Sequence, residues 1–414
     1  MPIKLSKSDY KKLETIFENQ DNNISLSNFY IDMIDLSKSI ANKVQKETIN
    51  KTINGKTFID TTLDLLDVED REWFDSIKDS HKLENIKSLD FNDYKNNAYY
   101  KNIKPKQTKN SNWELKYLNY KPYEVFVYKD TINFENNIEQ TCLGYFKEKF
   151  SYLAVLQDNT IWMSVTPNEI ETMKEPIDEA HGNVITYGLG LGYFPYMVHL
   201  KENVSSVTII EKDPNAIKLF EDNILPLFEH KEKIKVINID AFEYIKKTAE
   251  FDYAFIDLWH TVDDGLKLYV KMKNAESNKV KEYSYWIEDS LVSICRRCMV
   301  SAIYEELNSI ESIKPETFED KVINTYRKYI SESNLDNYES IIKLLKKENY
   351  SKGVVIKNTD GMIDVDLYII VSFGIKITET VKEAQKKVKY MLEKTLSQDI
   401  HSVNVFVQGV RVMN

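Results

Sequence analysis

The stretch VITYGLGLG (184–192) decides how this chain is read. An apolar run ends in glycines at positions 188, 190 and 192, and Phe194-Pro195 then opens a stretch of helical character. Glycines between a strand and a helix permit a tight turn. They also admit a ligand close to the backbone, because no Cβ stands in the way. Working outward, VTII (207–210), IKVINI (234–239) and FDYAFI (251–256) are three more short, nearly continuous apolar runs. Helical stretches over 195–202, 214–228 and 241–249 separate them. Strands covered on both faces read this way, and parallel neighbours need crossover helices. The pattern predicts an α/β unit with a parallel sheet. Right-handed crossovers then bring the loops after all four strands to one edge.

Each of those loops offers a candidate residue. Glu211 ends the second strand, 23 residues after Gly188. A carboxylate there accepts both ribose hydroxyls of a bound nucleoside. Asp213 beside it reads as a helix N-cap followed by Pro214 at the first helical position. Asp240, after the third strand, has two readings that stand together. One is an acceptor for an adenine amino group; the other is the cap of a box formed by Asp240-Ala-Phe-Glu243. In the fourth loop, Asp257 is placed to orient a substrate amine or hydroxyl, and His260 to serve as general base. Against that stands a plainer reading, with Trp259 in the core and His260 a surface histidine. A dinucleotide fingerprint needs a third glycine where this chain has Tyr193, so NAD and an NAD-dependent oxidoreductase are the lesser alternative.

The order GLGLG, IIEKDP, INIDAFEYI and FDYAFIDLWH, over about residues 123–300, resembles the class I S-adenosylmethionine-dependent methyltransferases. The strand hairpin before it is similar to that of the polyamine synthases. The resemblance implies a Rossmann-like parallel sheet that binds S-adenosylmethionine. Gly188, Gly190 and Gly192 would face its methionine part, Glu211 the ribose, and Asp240 with Ala241 the adenine. A small-molecule nucleophile would take the methyl group beside Asp257 and His260. The polyamine-synthase branch places an aspartate after its glycines, and Tyr193 at that position argues against aminopropyl transfer. The late strands that usually finish a methyltransferase sheet are not visible between 265 and 350. That gap favours the main rival, a non-catalytic nucleoside-binding protein.

The flanks divide the chain into three expected parts. Residues 1–122 are polar and mostly of helical period, with an exposed connection at KPKQTKNS (104–111). Residues 123–348 hold strands at YEVFVY (123–128), FSYLAVLQ (150–157) and TIWMSV (160–165), and then the α/β unit. Asp158-Asn159 suits a hairpin turn, and Thr166-Pro-Asn-Glu169 a capping box. A long helix is expected over 283–307. Residues 349–414 form a β-β-α-β module: GVVIKN, a turn at Thr359-Asp360-Gly361, MIDVDLYIIVSF, a helix striped by Ile377, Val381, Ala384, Val388 and Leu392, and SVNVFVQGV. About residues 352–410 resemble the latter half of the alkaline shock protein family of Gram-positive bacteria, which implies an interaction or dimerisation module with no chemistry of its own.

A net charge of -10 disfavours a sequence-independent grip on nucleic acid, which rests on Lys and Arg. Cys142, Cys295 and Cys298 are too few and too odd for a disulfide framework, which points to a reducing, cytoplasmic compartment. No signal peptide or bilayer-spanning run is visible. Cys295 and Cys298 have metal-like spacing without a second ligand pair, so packing on one helix face is expected. His81, His181, His199, His230 and His401 lack ligand spacing. Asp263-Asp264 and Glu288-Asp289 read as solvated pairs that a cationic substrate could meet.

Overall fold

Five parallel strands form the central sheet, in the spatial order Ile234–Asn238, Val204–Glu211, Gly182–Tyr187, Phe251–Ile256 and Val280–Tyr285. In this computed structural model the described residues are 5–47, 53–67, 72–77, 81, 86–134, 137–312, 314–332, 338–345, 354–359, 362–372, 382, 385–390, 393–394 and 400–411. The four strands expected from their apolar runs are present. Val184, Ile185, Val207, Ile209, Phe255 and Ile256 have no exposed surface, as strands sandwiched between helices require. The chain builds outward from Gly182–Tyr187 to Ile234–Asn238, then returns to add Phe251–Ile256 on the other side. That reversal opens a crevice at the carboxyl ends of the two middle strands.

The fifth strand, Val280–Tyr285, corrects the sequence reading, which put the beginning of a helix there. VKEYSY is an edge strand, so only one side is paired and its polar residues Lys281 and Glu282 stay exposed. The helix begins at Glu288 and runs to Leu307. Asp252 ties three strands at the opposite end, accepting from the Asn183 N–H at 2.7 Å and pairing with Lys281 at 2.7 Å.

Strands also begin earlier than expected. Thr108–Asn110 and Trp113–Tyr120 lie in the part read as helical, and they pair with Phe150–Gln157 and Thr160–Ser164 in a four-stranded antiparallel sheet. The supposed exposed connection thus contains a strand. Asp158 and Asn159 have φ of 51° and 66°, the left-handed pair that a tight hairpin turn needs, as expected. The strand expected at 123–128 starts only at Phe126 and pairs with Ile138–Tyr145, which the sequence reading missed. The leading helices pack on this third sheet, which Lys87–Ser88 completes: Leu26, Phe29, Met33 and Phe58 meet Val125, Leu143 and Tyr145. Further back, Leu13 and Ile16 of the helix Lys7–Asp35 pack on Met299, Val300 and Ile303.

The tail forms its own sheet. Val354–Thr359 and Met362–Ser372 make the expected hairpin, and Ile400–Arg411 lies parallel to the second of them. These strands do not extend the central sheet. Asp360, Gly361 and most of the expected helical stripe lie outside the described residues; Val388 falls in a helical stretch, 385–390. Among the described residues, no helix is long and apolar enough to cross a membrane.

Candidate functional site

Gly188 leaves the central strand with φ at +106°, and a methyl group on it would overlap the Asp257 carbonyl oxygen. Gly190 has φ at +50° and lies against the Met163 sulfur, which accepts the Leu191 N–H at 3.1 Å. Both positions therefore need glycine, one for backbone and one for side-chain proximity. Gly192 starts the helix Tyr193–His199 and rests on the Phe220 ring. It does not line the cavity, so its part in the turn is structural. Tyr193 is likewise turned into the core, where it accepts a hydrogen bond from the Asn97 amide at 2.9 Å. Tyr99 of the helix Ala98–Asn102 donates its hydroxyl to the Leu191 carbonyl at 2.6 Å.

The crevice holds a cavity of about 160 Å³ that brings together Gly188, Gly190, Glu211, Asp240, Ala241, Asp257 and His260. Seven of the eight residues singled out from the sequence meet there. Glu211 accepts the Asp213 N–H at 2.8 Å and is also held by the N–H groups of Lys212 and Leu189. Burial pushes its carboxyl up, while those amides pull it back. Its carboxylate so joins the second strand to the glycine turn. Asp213 is the expected cap, taking the N–H groups of Asn215 and Ala216, and it also accepts the Trp113 indole N–H at 3.0 Å. Asp240 caps the next helix through Oδ1, which accepts from Phe242 at 2.8 Å and Glu243 at 3.3 Å.

In the fourth loop, burial pushes the Asp257 carboxyl up to about 7. Trp259 is 4% exposed and stacks in the core at 8° to Tyr285, so the plainer reading holds for it. His260 is at the rim. Its Nδ1 meets Asp264 at 2.9 Å, and its ring stands edge-on to Trp162 with the ring centres 3.8 Å apart. Asp264, read as solvated, is thus engaged, and it also takes the N–H of Thr261 at 2.8 Å.

The segment 162–169 brings three residues to the site that were not anticipated. Trp162 and Met163 come from the hairpin and close the cavity from above. Glu169 was read as the third residue of a capping box, and that box is not formed, since Thr166 makes no side-chain cap. Glu169 turns inward instead. Its Oε2 is enclosed without a hydrogen-bond partner, and burial, with the Asp257 charge behind it, holds the carboxyl well above the usual range. A buried carboxyl oxygen without a partner is costly, and this one lies on a residue that lines the cavity. No local signal separates it from a cap, because T-P-N-E satisfies both.

His260 and Trp286 are shared with a second cavity of about 570 Å³. Its walls carry Asp130, Glu171, Glu175, Glu179, Glu288 and Asp289 against one lysine, Lys129. Glu288, read as solvated, is bound to Tyr269 at 2.7 Å and Lys273 at 3.1 Å. Cys295 and Cys298 are free thiols that burial pushes up to about 11 and about 12, in keeping with packing. Among the described residues no cluster suits a metal ion.

Keeping a carboxyl buried at Asp257 opposes folding. A raised folded pKa means the folded state holds its proton longer. The stability cost therefore grows as pH rises from about 4 to about 7 and is complete above that. Asp257→Asn should then raise the urea midpoint at pH 8 by the equivalent of about 2 kcal/mol, discounted for partial solvation, and change it little at pH 4. Equal effects at both pH values would contradict the buried carboxyl.

Residues 329–412 match the model of the alkaline shock protein family, described as having a cell envelope-related function. The tail carries an alkaline shock family domain. The match begins upstream of the expected resemblance and takes in the helix Tyr338–Leu344. Over this domain the chain is 49% identical to the uncharacterized protein Spy1614 of Streptococcus pyogenes serotype M6, across 78 residues, 19% of this chain and 62% of that protein. It is 45% identical to the uncharacterized protein YloU of Bacillus subtilis, across 76 residues, 18% of this chain and 63% of that protein. A polyamine aminopropyltransferase of Oceanobacillus iheyensis is 33% identical over 100 residues, 22% of this chain and 20% of that protein. The chain spans less than two thirds of the length of each of these relatives. Among solved structures, spermidine synthase from Thermotoga maritima aligns at 14% identity over 40% of this chain and 61% of that one, with a TM-score of 0.25. The SAH-bound Podospora anserina methyltransferase PaMTH1 aligns at 14% identity over 41% of this chain and 71% of that one, with a TM-score of 0.24.

Proposed function

We propose that the central unit binds S-adenosylmethionine across the carboxyl ends of its sheet and transfers the methyl group to a small nucleophile. The observation that carries this reading is Glu211. Its carboxylate stands at the end of the second strand, fixed by three backbone N–H groups, on the wall of the cavity that the glycine turn opens. A ribose needs that arrangement: an acceptor for two hydroxyls beside a turn without side chains. Asp240 and Ala241 line the same wall where an adenine would lie, and the Asp240 cap bonds occupy only Oδ1. The residues present fit the nucleoside.

When bound, S-adenosylmethionine supplies a methyl already activated by its sulfonium. The chain's own work is then to hold donor and acceptor in line and to exclude water. Trp162, Met163 and Trp286 provide the enclosing walls. Asp257 takes a proton from the acceptor, and His260, held by Asp264, lies at the entrance shared with the acid-lined cavity. That cavity supports a cationic acceptor. It also supports a second reading, aminopropyl transfer, because the residue expected to argue against it, Tyr193, faces the core and not the site.

Isothermal titration with S-adenosylmethionine and with its demethylated product tests nucleoside binding. A labelled-methyl assay then separates an enzyme from a non-catalytic binder, and decarboxylated donor with a diamine separates the two transfers. Glu211→Ala is expected to weaken S-adenosylmethionine at least about tenfold, the worth of one or two charged hydrogen bonds. Unchanged affinity would remove Glu211 from the ribose site. We further propose that the alkaline shock family domain serves association with a partner or a second copy, which sedimentation of the chain with and without residues 349–414 would reveal.

A further inference from the structure

We propose that Glu169 and Asp257 act together as a charge reader, so that the cavity distinguishes a sulfonium ligand from its neutral thioether product and gives up a proton when the sulfonium binds. This rests on the nucleoside reading above and adds residue roles to it.

The geometry is specific. Asp257 arrives from the fourth strand and Glu169 from the helix Pro167–Thr172, and both face the same small cavity. Glu169 Oε2 is enclosed with no partner. The Asp257 backbone is fixed by its N–H on the Tyr187 carbonyl at 2.9 Å, and its carbonyl oxygen sits where a Cβ on Gly188 would be, so the loop is held close to the glycine turn. Two carboxyls in one enclosed space cannot both ionise without a cation. The lining offers Lys212, which is exposed on the second loop, and His260, which is engaged by Asp264. Other titratable groups around the pair are Glu211 and Asp240 on neighbouring loops, Glu171 on the same helix, and the Tyr120 and Tyr193 hydroxyls. Burial pushes both tyrosines up, so they stay neutral. None of these supplies the missing positive charge inside the cavity.

A bound sulfonium would supply it. The proton held by the pair then leaves to solvent, both carboxyl groups carry more negative charge, and no bond in the ligand breaks. The thioether product lacks that charge, so the pair re-protonates and the product is held less firmly. Asp257 titrates at about 7, which places this exchange near neutrality.

The test uses the full chain and two pure ligands, S-adenosylmethionine and S-adenosylhomocysteine, titrated calorimetrically at pH 6, 7 and 8 in buffers of differing protonation enthalpy. The sulfonium should bind at least about tenfold more tightly than the thioether at pH 8, an ordinary magnitude for one partly buried charge pair. The margin should shrink toward pH 6, and the sulfonium alone should show buffer-dependent heat from a released proton. In Glu169→Gln and in Asp257→Asn the margin should fall to within about threefold, with thioether affinity retained. Equal binding of the two ligands at all pH values, or a margin that survives both substitutions, overturns the charge reader and leaves the nucleoside reading standing. Failure of the wild type to bind either ligand overturns both. If a variant does not fold, the wild-type pH series and proton release decide the matter without it.

Discussion

Gly188→Ala is expected to cost about 3 kcal/mol or more of folding stability and to abolish nucleoside binding. The added methyl meets two penalties at once. A side chain at φ of +106° is strained by roughly 1–3 kcal/mol, and the methyl overlaps the Asp257 carbonyl oxygen, a further 1–3 kcal/mol if the neighbours yield. They yield poorly. Asp257 is bonded to Tyr187, and Gly188 donates its own N–H to the Ile210 carbonyl at 3.0 Å, so moving either parts neighbouring strands. Urea unfolding and ligand titration read the two effects separately. A wild-type midpoint in Gly188→Ala would show the turn to be looser than described.

The second large effect lies far from the cavity. Arg327 is 9% exposed on its side chain and is clamped between Glu305 at 2.6 Å and Glu306 at 2.8 Å. It also donates to the Ile310 carbonyl. This fastens the helix Phe318–Glu332, near whose end the alkaline shock family match begins, to the end of Glu288–Leu307. Removing Arg327 strands two carboxylates that are 28% and 27% exposed and still reach water, so Arg327→Ala should lose about 2–3 kcal/mol, less than a fully buried pair would. The triple change Arg327→Met, Glu305→Gln, Glu306→Gln should recover most of that, because no buried charge is left alone. If single and triple variants unfold at the same urea concentration, the clamp is packing and not charge.

How much of this was visible in the sequence depends on what each residue pattern reports. VITY, VTII and FDYAFI were legible because strands buried on both faces cannot hide among polar residues; IKVINI lies at the other edge with no fully buried residue and was legible only because its run happens to be apolar. VKEYSY at 280–285 was not, since an edge strand tolerates lysine and glutamate on its open side. WELKYLNY at 113–120 failed for a related cause: it sits in a small antiparallel sheet with one wetter face, and its charges mask the strand alternation. Ile138–Tyr145 opens with the polar run Glu139-Gln140-Thr141, which hid it too. At the site, Glu211 and Asp240 were found because strand ends and glycine turns have fixed spacing. Glu169 was hidden, because its local sequence satisfies a cap that the fold declines to make. Only the long-range approach of the hairpin to the fourth loop gives that carboxyl its position.

The bonds from Asn97 to Tyr193 and from Tyr99 to the Leu191 carbonyl have a wider meaning. They join the glycine turn to segments nearly a hundred positions earlier in the chain. Whatever free energy a tight-binding nucleoside contributes is therefore shared backward along those contacts by mass action. Loosening the segment around Asn97 and Tyr99 would likewise loosen the turn, although among the described residues none before Trp162 lines the cavity.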